Sequence, residues 1–468
     1  MKGSKWLAGI VIAGIGLRLL LWCFQVSPAG DDGMRYLTES INLVGHGVFA
    51  IETGDAPSPS AHDLPLWPGI MAVVYWATHS VVVTQYIAGG VNILLMVGSV
   101  LFLVSMLRGK PFLFSGRQVA VAAGVLLFMP ESIMYSLFHM PDQLAVFSVI
   151  AALWFYFRGA FCKRRYYLGA TCLFLVAIYA KPICIPLSVA LLAAIPFVVP
   201  IPKKRGVVIA VVSILAVGLG LCPWMVRNKM AFGTAGVTSI SGTNLYRCNW
   251  GRLVERLPAE ERQRMKDDML VFESRIVDCD LMKKAQLQGD YAKRQILAHL
   301  PSYIAYTLQT HPRLYAGTGS VAMLRYLGLE RACDALDSLW GLNNARGYAP
   351  SNDMPYTVAE KAVGCGLQLF SWAVLLVGYG LVMVGMTRGL KAAWATGRGR
   401  RFGQVVVVLC PILSLLLLAV VIGPITSTRY RFIMIPFFAM LSGYSVRPGS
   451  DEQVHDDEAS SLRMAVAT

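Results

Sequence analysis

Charge is what this 468-residue chain has least of: Asp, Glu, Lys and Arg make up 15% of it, where soluble domains carry about a quarter. With 56% hydrophobic residues and a mean hydropathy of +0.55, that scarcity argues against a soluble enzyme and for a polytopic membrane protein. Ligand spacings are missing as well. The 10 cysteines contain no CxxC and no Cys/His set, so zinc and dithiol redox chemistry are not indicated. His46, His62 and His311 stand alone, without the spacing of metal ligands. No internal repeat is evident, although many transporters carry one. The formal charge of +15 comes mostly from short basic clusters between apolar runs. That is the pattern of cytoplasmic loops, and it needs no nucleic acid partner.

The apolar runs and basic clusters set a topology. The first run, 6–24, follows Lys2 and Lys5, carries Arg18 near its middle and exceeds a signal-peptide core, so it reads as an uncleaved helix with a cytoplasmic N-terminus. Residues 64–76 are short for a span and begin with Pro65 and Pro68, which predicts a helix lying in or dipping into the interface. Further spans are predicted at 84–107, 119–138, 143–157, 167–180, 183–199, 207–222, 363–386, 404–422 and 432–445. The fold class is therefore all-α, with about ten transmembrane helices plus juxtamembrane helices, both termini inside. Residues 1–222 form an N-terminal transmembrane module with a first outer loop at 27–66. Residues 223–361 form an extracytoplasmic region, 362–446 the C-terminal helices and 447–468 a disordered acidic tail. Tyr315 to Leu329 is too short and Gly-rich for a confident span; it is taken as interfacial, with a span pair as the alternative. Cys248, Cys279 and Cys333 lie in the extracytoplasmic region, where one disulfide could form with its pairing open.

That topology collects ionisable residues on one side. Asp31 and Asp32 follow the first helix, with Arg35 and Tyr36 after them and a helical run broken by Gly45 and Gly47. A second group runs from Pro223-Trp224 through Arg227-Asn228 and Phe232-Gly233 to Ser241-Gly242-Thr243-Asn244, with Arg247 beyond. Arg429-Tyr430-Arg431 is a third, and Asp63, Asp142 and Lys181 sit at outer helix ends. Carboxylates beside a bilayer are costly to hold without a partner or a task. A carboxylate facing arginines suits transfer of a group from a lipid phosphate. The carboxylate takes the acceptor's proton and the guanidiniums bind the phosphate as charge builds on it. Each residue also has a plain structural role open to it: helix capping for Asp31 and Asp32, interfacial anchoring for Arg227, turn termination for Asp142 and snorkelling for Lys181.

These motifs, in this order, resemble the GT-C superfamily of multi-spanning glycosyltransferases, which includes the protein O-mannosyltransferases and the lipid A aminoarabinose transferase. The likeness rests on D-x-x-R-Y at Asp32, Arg35 and Tyr36, on Leu64-Pro65-Leu66-Trp67-Pro68, and on P-W-x-x-R-N…F-G…S-x-x-G-x-N at Pro223 to Asn244. It implies a polyprenyl-phosphate-linked (dolichyl-phosphate-type) sugar donor, an inverting displacement and a catalytic aspartate that falls on Asp32. Asp31 then tunes it or binds the acceptor. Two departures stand out: Gly33 follows Asp32 where relatives often have Glu, and a Lys is absent after Asp63. The second shifts phosphate contact to Arg227, Arg247 and Arg429. Arg35, Tyr36, Asp63, Asp142, Lys181, Asn228, Asn244 and Arg431 complete the expected substrate-binding set. No cofactor is certain, and a divalent cation stays open. The acceptor is a lipid, a glycan or a protein, and the expected location is the cytoplasmic (inner) membrane with the site outside. A transporter or lipid flippase, or an inactive polyprenyl-lipid-binding relative, is the alternative.

Overall fold

The computed structural model describes residues 2–24, 30–161, 163–198, 201–340, 356–395 and 428–447. Among these the regular structure is helical throughout, and the chain is an all-α polytopic membrane protein. Among the described residues five helices are long and apolar enough to cross a bilayer: Lys5–Cys23, Val81–Arg108, Asp142–Ala160, Lys203–Phe232 and Val358–Lys391. Every predicted span coincides with helix except 404–422, which lies outside the described residues, as does the tail after residue 447. Several are broken. The run 119–138 splits into α5 (Gly116–Phe128) and α6 (Pro130–Tyr135), because Pro130 cannot donate into the preceding turn. The run 183–199 splits into α9 (Cys184–Ala193) and α10 (Ile195–Val198), and 432–445 into α20 (Thr428–Phe432) and α21 (Ile435–Gly443). In contrast, α11 (Lys203–Phe232) passes through Pro223 without ending, ten residues beyond the predicted boundary at 222.

Local chemistry sets the remaining ends. The hydroxyl of Ser80 accepts from the Val83 amide at the start of α4 (Val81–Arg108), and Ser115 with Gln118 closes a capping box on α5. Helix α1 (Lys2–Cys23) carries Arg18 in mid-helix, fully buried against α5 and α6. Its guanidinium donates to Ser136 Oγ at 2.7 Å, the Leu127 carbonyl at 2.8 Å and the Gly14 carbonyl at 2.9 Å. A mid-helix arginine is tolerated because it faces protein carbonyls rather than lipid.

The core runs between α5, α7 (Asp142–Phe161), α8 (Tyr166–Ala180) and α21, with Leu126, Ala145, Val149, Phe174, Phe437 and Met440 buried together. Lipid tails are as apolar as these side chains, so close fit and buried polar links rather than water exclusion hold such helices together. One link matters for the site. Asn92 of α4 donates to the Phe138 and Met140 carbonyls at 2.6 and 3.0 Å, fixing the turn that enters α7.

Two shorter helices cover one end of this bundle. Helix α2 (Gly30–His46) is amphipathic and ends at Gly47, whose φ of +68° suits glycine alone at low cost. Helix α3 (Leu66–Thr78) lies against it through Ser40 Oγ, which donates to the Pro68 carbonyl at 2.9 Å. Trp67 is buried beneath and donates from Nε1 to the His139 carbonyl at 3.1 Å. Beyond α11 the chain forms α12 (Ile240–Asn244), a π turn (Leu245–Trp250), α13 (Gly251–Val254), α14 (Ala259–Arg275), α15 (Leu281–Ala298) and α16 (Leu300–Ala316). They enclose a separate small core around Tyr246, Trp250, Leu253 and Ile296. Residues 315–329 form the end of α16, a turn and α17 (Ser320–Tyr326), not a span. Helices α18 (Glu330–Trp340) and α19 (Val358–Ala395) follow. Cys248 and Cys279 are free thiols, and Cys333 is buried in another cluster with Leu324 and Leu336.

Candidate active site

Asp32 lies in the first turn of α2, where the helix dipole favours a carboxylate. Arg35 follows three residues later on the same face, and its Nη1 donates to Asp32 Oδ1 at 2.6 Å. The other side of the same guanidinium meets Asp63, Nε to Oδ2 at 2.5 Å and Nη2 to Oδ1 at 3.4 Å. Asp31 shares the first turn of α2, and its side chain lies outside the described residues. Across from α2, Arg429 of α20 spans two carboxylates. Its Nη1 donates to Asp32 Oδ2, while Nε and Nη2 hold Asp142, the first residue of α7, at 2.8 to 3.0 Å. Lys181, just past the end of α8, donates its ammonium to the same Asp142 and stands 5.8 Å from the Tyr430 ring centroid. Segments more than a hundred residues apart thus converge on one alternating network, Asp63–Arg35–Asp32–Arg429–Asp142–Lys181. Three carboxylates face three cations in it.

Exposure separates these carboxylates. The side chain of Asp32 is 41% exposed, against 8% for Asp63 and 0% for Asp142. Burial disfavours the charge of Asp32, but the guanidiniums of Arg429 and Arg35 outweigh it and hold the carboxyl well below the usual range. Burial first, then the Arg429 charge, pull the Lys181 ammonium down to about 8 against the pull of Asp142. Tyr36 is buried beside the network and its hydroxyl stays protonated, burial and the charge of Asp63 both raising it.

Not every predicted residue joins this group. Arg431 is fully buried and turned away: it clasps Glu131 through Nε–Oε1 at 2.6 Å and Nη2–Oε2 at 2.7 Å, and donates to the Leu314, Tyr315 and Gly317 carbonyls. Residues two apart on a helix face opposite ways, so Arg429 and Arg431 of α20 cannot both reach Asp32. Arg227 sits in an aromatic box, with its guanidinium carbon 4.9, 5.5 and 6.0 Å from the Trp224, Phe232 and Phe49 ring centroids. Its Nη1 donates to the Ser60 carbonyl at 2.7 Å and to Asn228 Oδ1 at 3.0 Å. Asn228 is buried and donates to the Gly236 carbonyl at 2.8 Å. Asn244 enters the π turn and accepts from Asn249 at its carbonyl, 3.1 Å away. Arg247 is exposed on that turn, whose Cys248 lies within electrostatic reach of Tyr430.

Two residues that the motifs did not single out belong here. Glu39, one turn beyond Arg35, is completely buried with neither carboxyl oxygen hydrogen-bonded. Burial, with Asp63 adding to it, pushes its carboxyl up to about 10, so it is neutral. The 3- and 4-residue steps from Asp32 to Arg35, Glu39 and Asn42 mark one helix face and were the available signal. His139 lies against Gly33: a Cβ there would come 2.6 Å from His139 Nε2. Burial lowers its imidazole to about 4, leaving it neutral. Among the described residues no group of three or more His, Cys, Asp or Glu side chains is placed to hold a metal ion. Asp32, Asp63 and Asp142 are each taken by arginine or lysine.

No family model matches the sequence, and no curated protein matches it. Among solved structures, the chain is similar to ArnT from Cupriavidus metallidurans, a crystal structure with bound undecaprenyl phosphate. The identity is 14%, the match covers 83% of this chain and 81% of that one, and the TM-score is 0.37.

Proposed function

We propose that the protein is a GT-C-like membrane glycosyltransferase that moves a sugar from a polyprenyl-phosphate donor to an acceptor hydroxyl at the outer face of the membrane, with inversion. The observation that carries this reading is Asp32: it is the solvent-reachable carboxylate of an otherwise buried network, and it is gripped by two arginines. A donor phosphate competes for those arginines, and the magnitudes favour one site of exchange. Taking Arg429 from Asp142 would strand a fully buried carboxylate, at a cost of about 3–5 kcal/mol. Taking Arg429 Nη1 from half-exposed Asp32 gives up one charge-assisted hydrogen bond, worth about 1.5–3 kcal/mol, and the phosphate replaces it in kind.

Donor binding then frees Asp32 from Arg429, the larger of the two cationic influences that suppress its basicity, while Arg35 stays in place to orient it. In the transfer step the acceptor oxygen bonds to the anomeric carbon as the carbon–oxygen bond to phosphate breaks. The acceptor's proton passes to Asp32, and the bonding pair stays on the phosphate oxygen facing Arg429. Asp142 and Lys181 keep Arg429 aimed, and Asp63 keeps Arg35 aimed.

The test is turnover by the purified protein in liposomes with a labelled polyprenyl-phosphate sugar and mixed acceptors. The expected products are free polyprenyl phosphate and a glycoside of inverted anomeric configuration. Movement of the labelled lipid between leaflets with no bond cleavage would instead favour the flippase reading.

A further inference from the structure

The motif residues between Arg227 and Ser239 stand apart from Asp32, yet they grip the segment that leads to it. Three consecutive carbonyls, of Ser60, Ala61 and His62, are each bound from this region. Arg227 Nη1 donates to the first at 2.7 Å, the Ser239 amide to the second at 2.8 Å, and Thr238 Oγ1 to the third. The segment also folds on itself, with the Ser60 amide 2.7 Å from the Phe49 carbonyl and the His62 amide 3.1 Å from Ser60 Oγ. The next residue is Asp63, whose carboxylate holds Arg35, whose Nη1 in turn holds Asp32. Burial in the aromatic box costs the Arg227 guanidinium hydration, which cation–π contact and its two hydrogen bonds offset.

We infer that Arg227 and Thr238 are positioning residues: by fixing the 60–62 carbonyls they set Asp63 against Arg35, and so fix how Arg35 presents itself to Asp32. The consequence for turnover rests on the proposed glycosyltransfer, whereas the clamp itself does not. The sequence pattern that looked like a phosphate-contacting arginine thus acts at one remove.

Hydrogen–deuterium exchange and sugar transfer on the full-length protein, with R227M, T238V and D63N, test this. T238V removes one hydroxyl, which also accepts from the Ile240 amide at 3.2 Å, and is the milder variant that keeps the test open should R227M fail to fold. Both clamp variants are expected to speed exchange across residues 56–66 and across 30–38, whereas D63N speeds exchange at 30–38 alone. Transfer by T238V falls about tenfold in kcat at nearly constant donor KM, the size of effect that a small misplacement of a reacting group produces. In the D63N background T238V costs nothing further. Unchanged exchange at 56–66, or a T238V penalty that is the same with and without Asp63, would overturn the inference. If the wild type transfers no sugar, the functional reading falls and the exchange pattern still decides the clamp.

Discussion

Gly33 and His139 show how closely the start of α2 is built. A methyl group at residue 33 would press on His139 Nε2 at 2.6 Å, and the backbone of that turn is held because Trp67 and Asn92 bind its carbonyls, so relief has to come from the buried ring itself. G33A is therefore expected to cost about 1–3 kcal/mol of stability, as overpacking does, and to depress transfer by shifting Asp32. Thermal unfolding of G33A beside G33A/H139A measures this, and the double variant should recover part of the loss. Equal stability of G33A and wild type would contradict it. The imidazole of His139 occupies the space beside the Gly33 Cα, which leaves no room for a side chain at that position. The spacing of Asp32, Arg35 and Tyr36 was legible because all three lie within two turns of one helix. Glu39 and Asn42 continue that face and follow from the same periodicity. The roles of Asp142 and Lys181 were not legible: each depends on a tertiary pairing with Arg429, and no local rule encodes it.

Among elements, α20 carries the most. Five residues, Thr428–Phe432, present Arg429 to the candidate site and Arg431 to α6 and the end of α16. The helical period separates the two, which the bare triplet Arg-Tyr-Arg could not reveal without knowing that it was helical. Glu131 and Arg431 are both fully buried. Removing one partner of such a pair leaves an uncompensated charge, at a cost of about 3–5 kcal/mol. E131Q should lower the unfolding temperature accordingly and reduce transfer by loosening Arg429, while E131Q/R431M should regain much of the stability. A stability loss that is simply additive in the double variant would argue against the pair acting as a unit. The break at Gly47 was legible because glycine marks it, whereas the caps at Ser80 and Ser115 start α4 and α5 three residues before the predicted spans at 84 and 119. They were read poorly at prolines. Pro223 sits inside α11, while Pro130 ends one helix and starts another, because neighbours decide whether the freed carbonyl is satisfied.

At the scale of the whole molecule, the network is balanced between carboxylates and cations, and titration should expose that balance. As pH rises through about 8, Lys181 loses its charge, and among the described residues Asp142 then keeps Arg429 as its cationic partner. Among the described residues Asp142, Arg429, Cys184 and Tyr430 face Lys181, and the Asp32 carboxylate also lies within range of its charge. The alkaline limb of kcat/KM should therefore fall near pH 8, and K181R should move it upward because arginine stays charged. On the acid side Asp32 remains ionised below the ordinary carboxylate range, since Arg429 and Arg35 hold its charge. The acid limb in kcat/KM, which reports the free protein, should lie correspondingly low. A profile flat from pH 7 to 10 would remove Lys181 from the account. The all-α membrane class was legible from composition alone, because scarce charge and long apolar runs admit few other structures.

The most direct measurement compares D32N with the wild type for both donor binding and sugar transfer, using a labelled polyprenyl-phosphate sugar. Asn keeps the shape of the side chain and cannot take a proton. Transfer should fall by about 10²–10⁴-fold, the usual weight of a general base. Donor binding should hold or tighten, since Arg429 no longer has to leave a carboxylate to meet the phosphate. Transfer at the wild-type rate in D32N would contradict the assignment of Asp32 as the base.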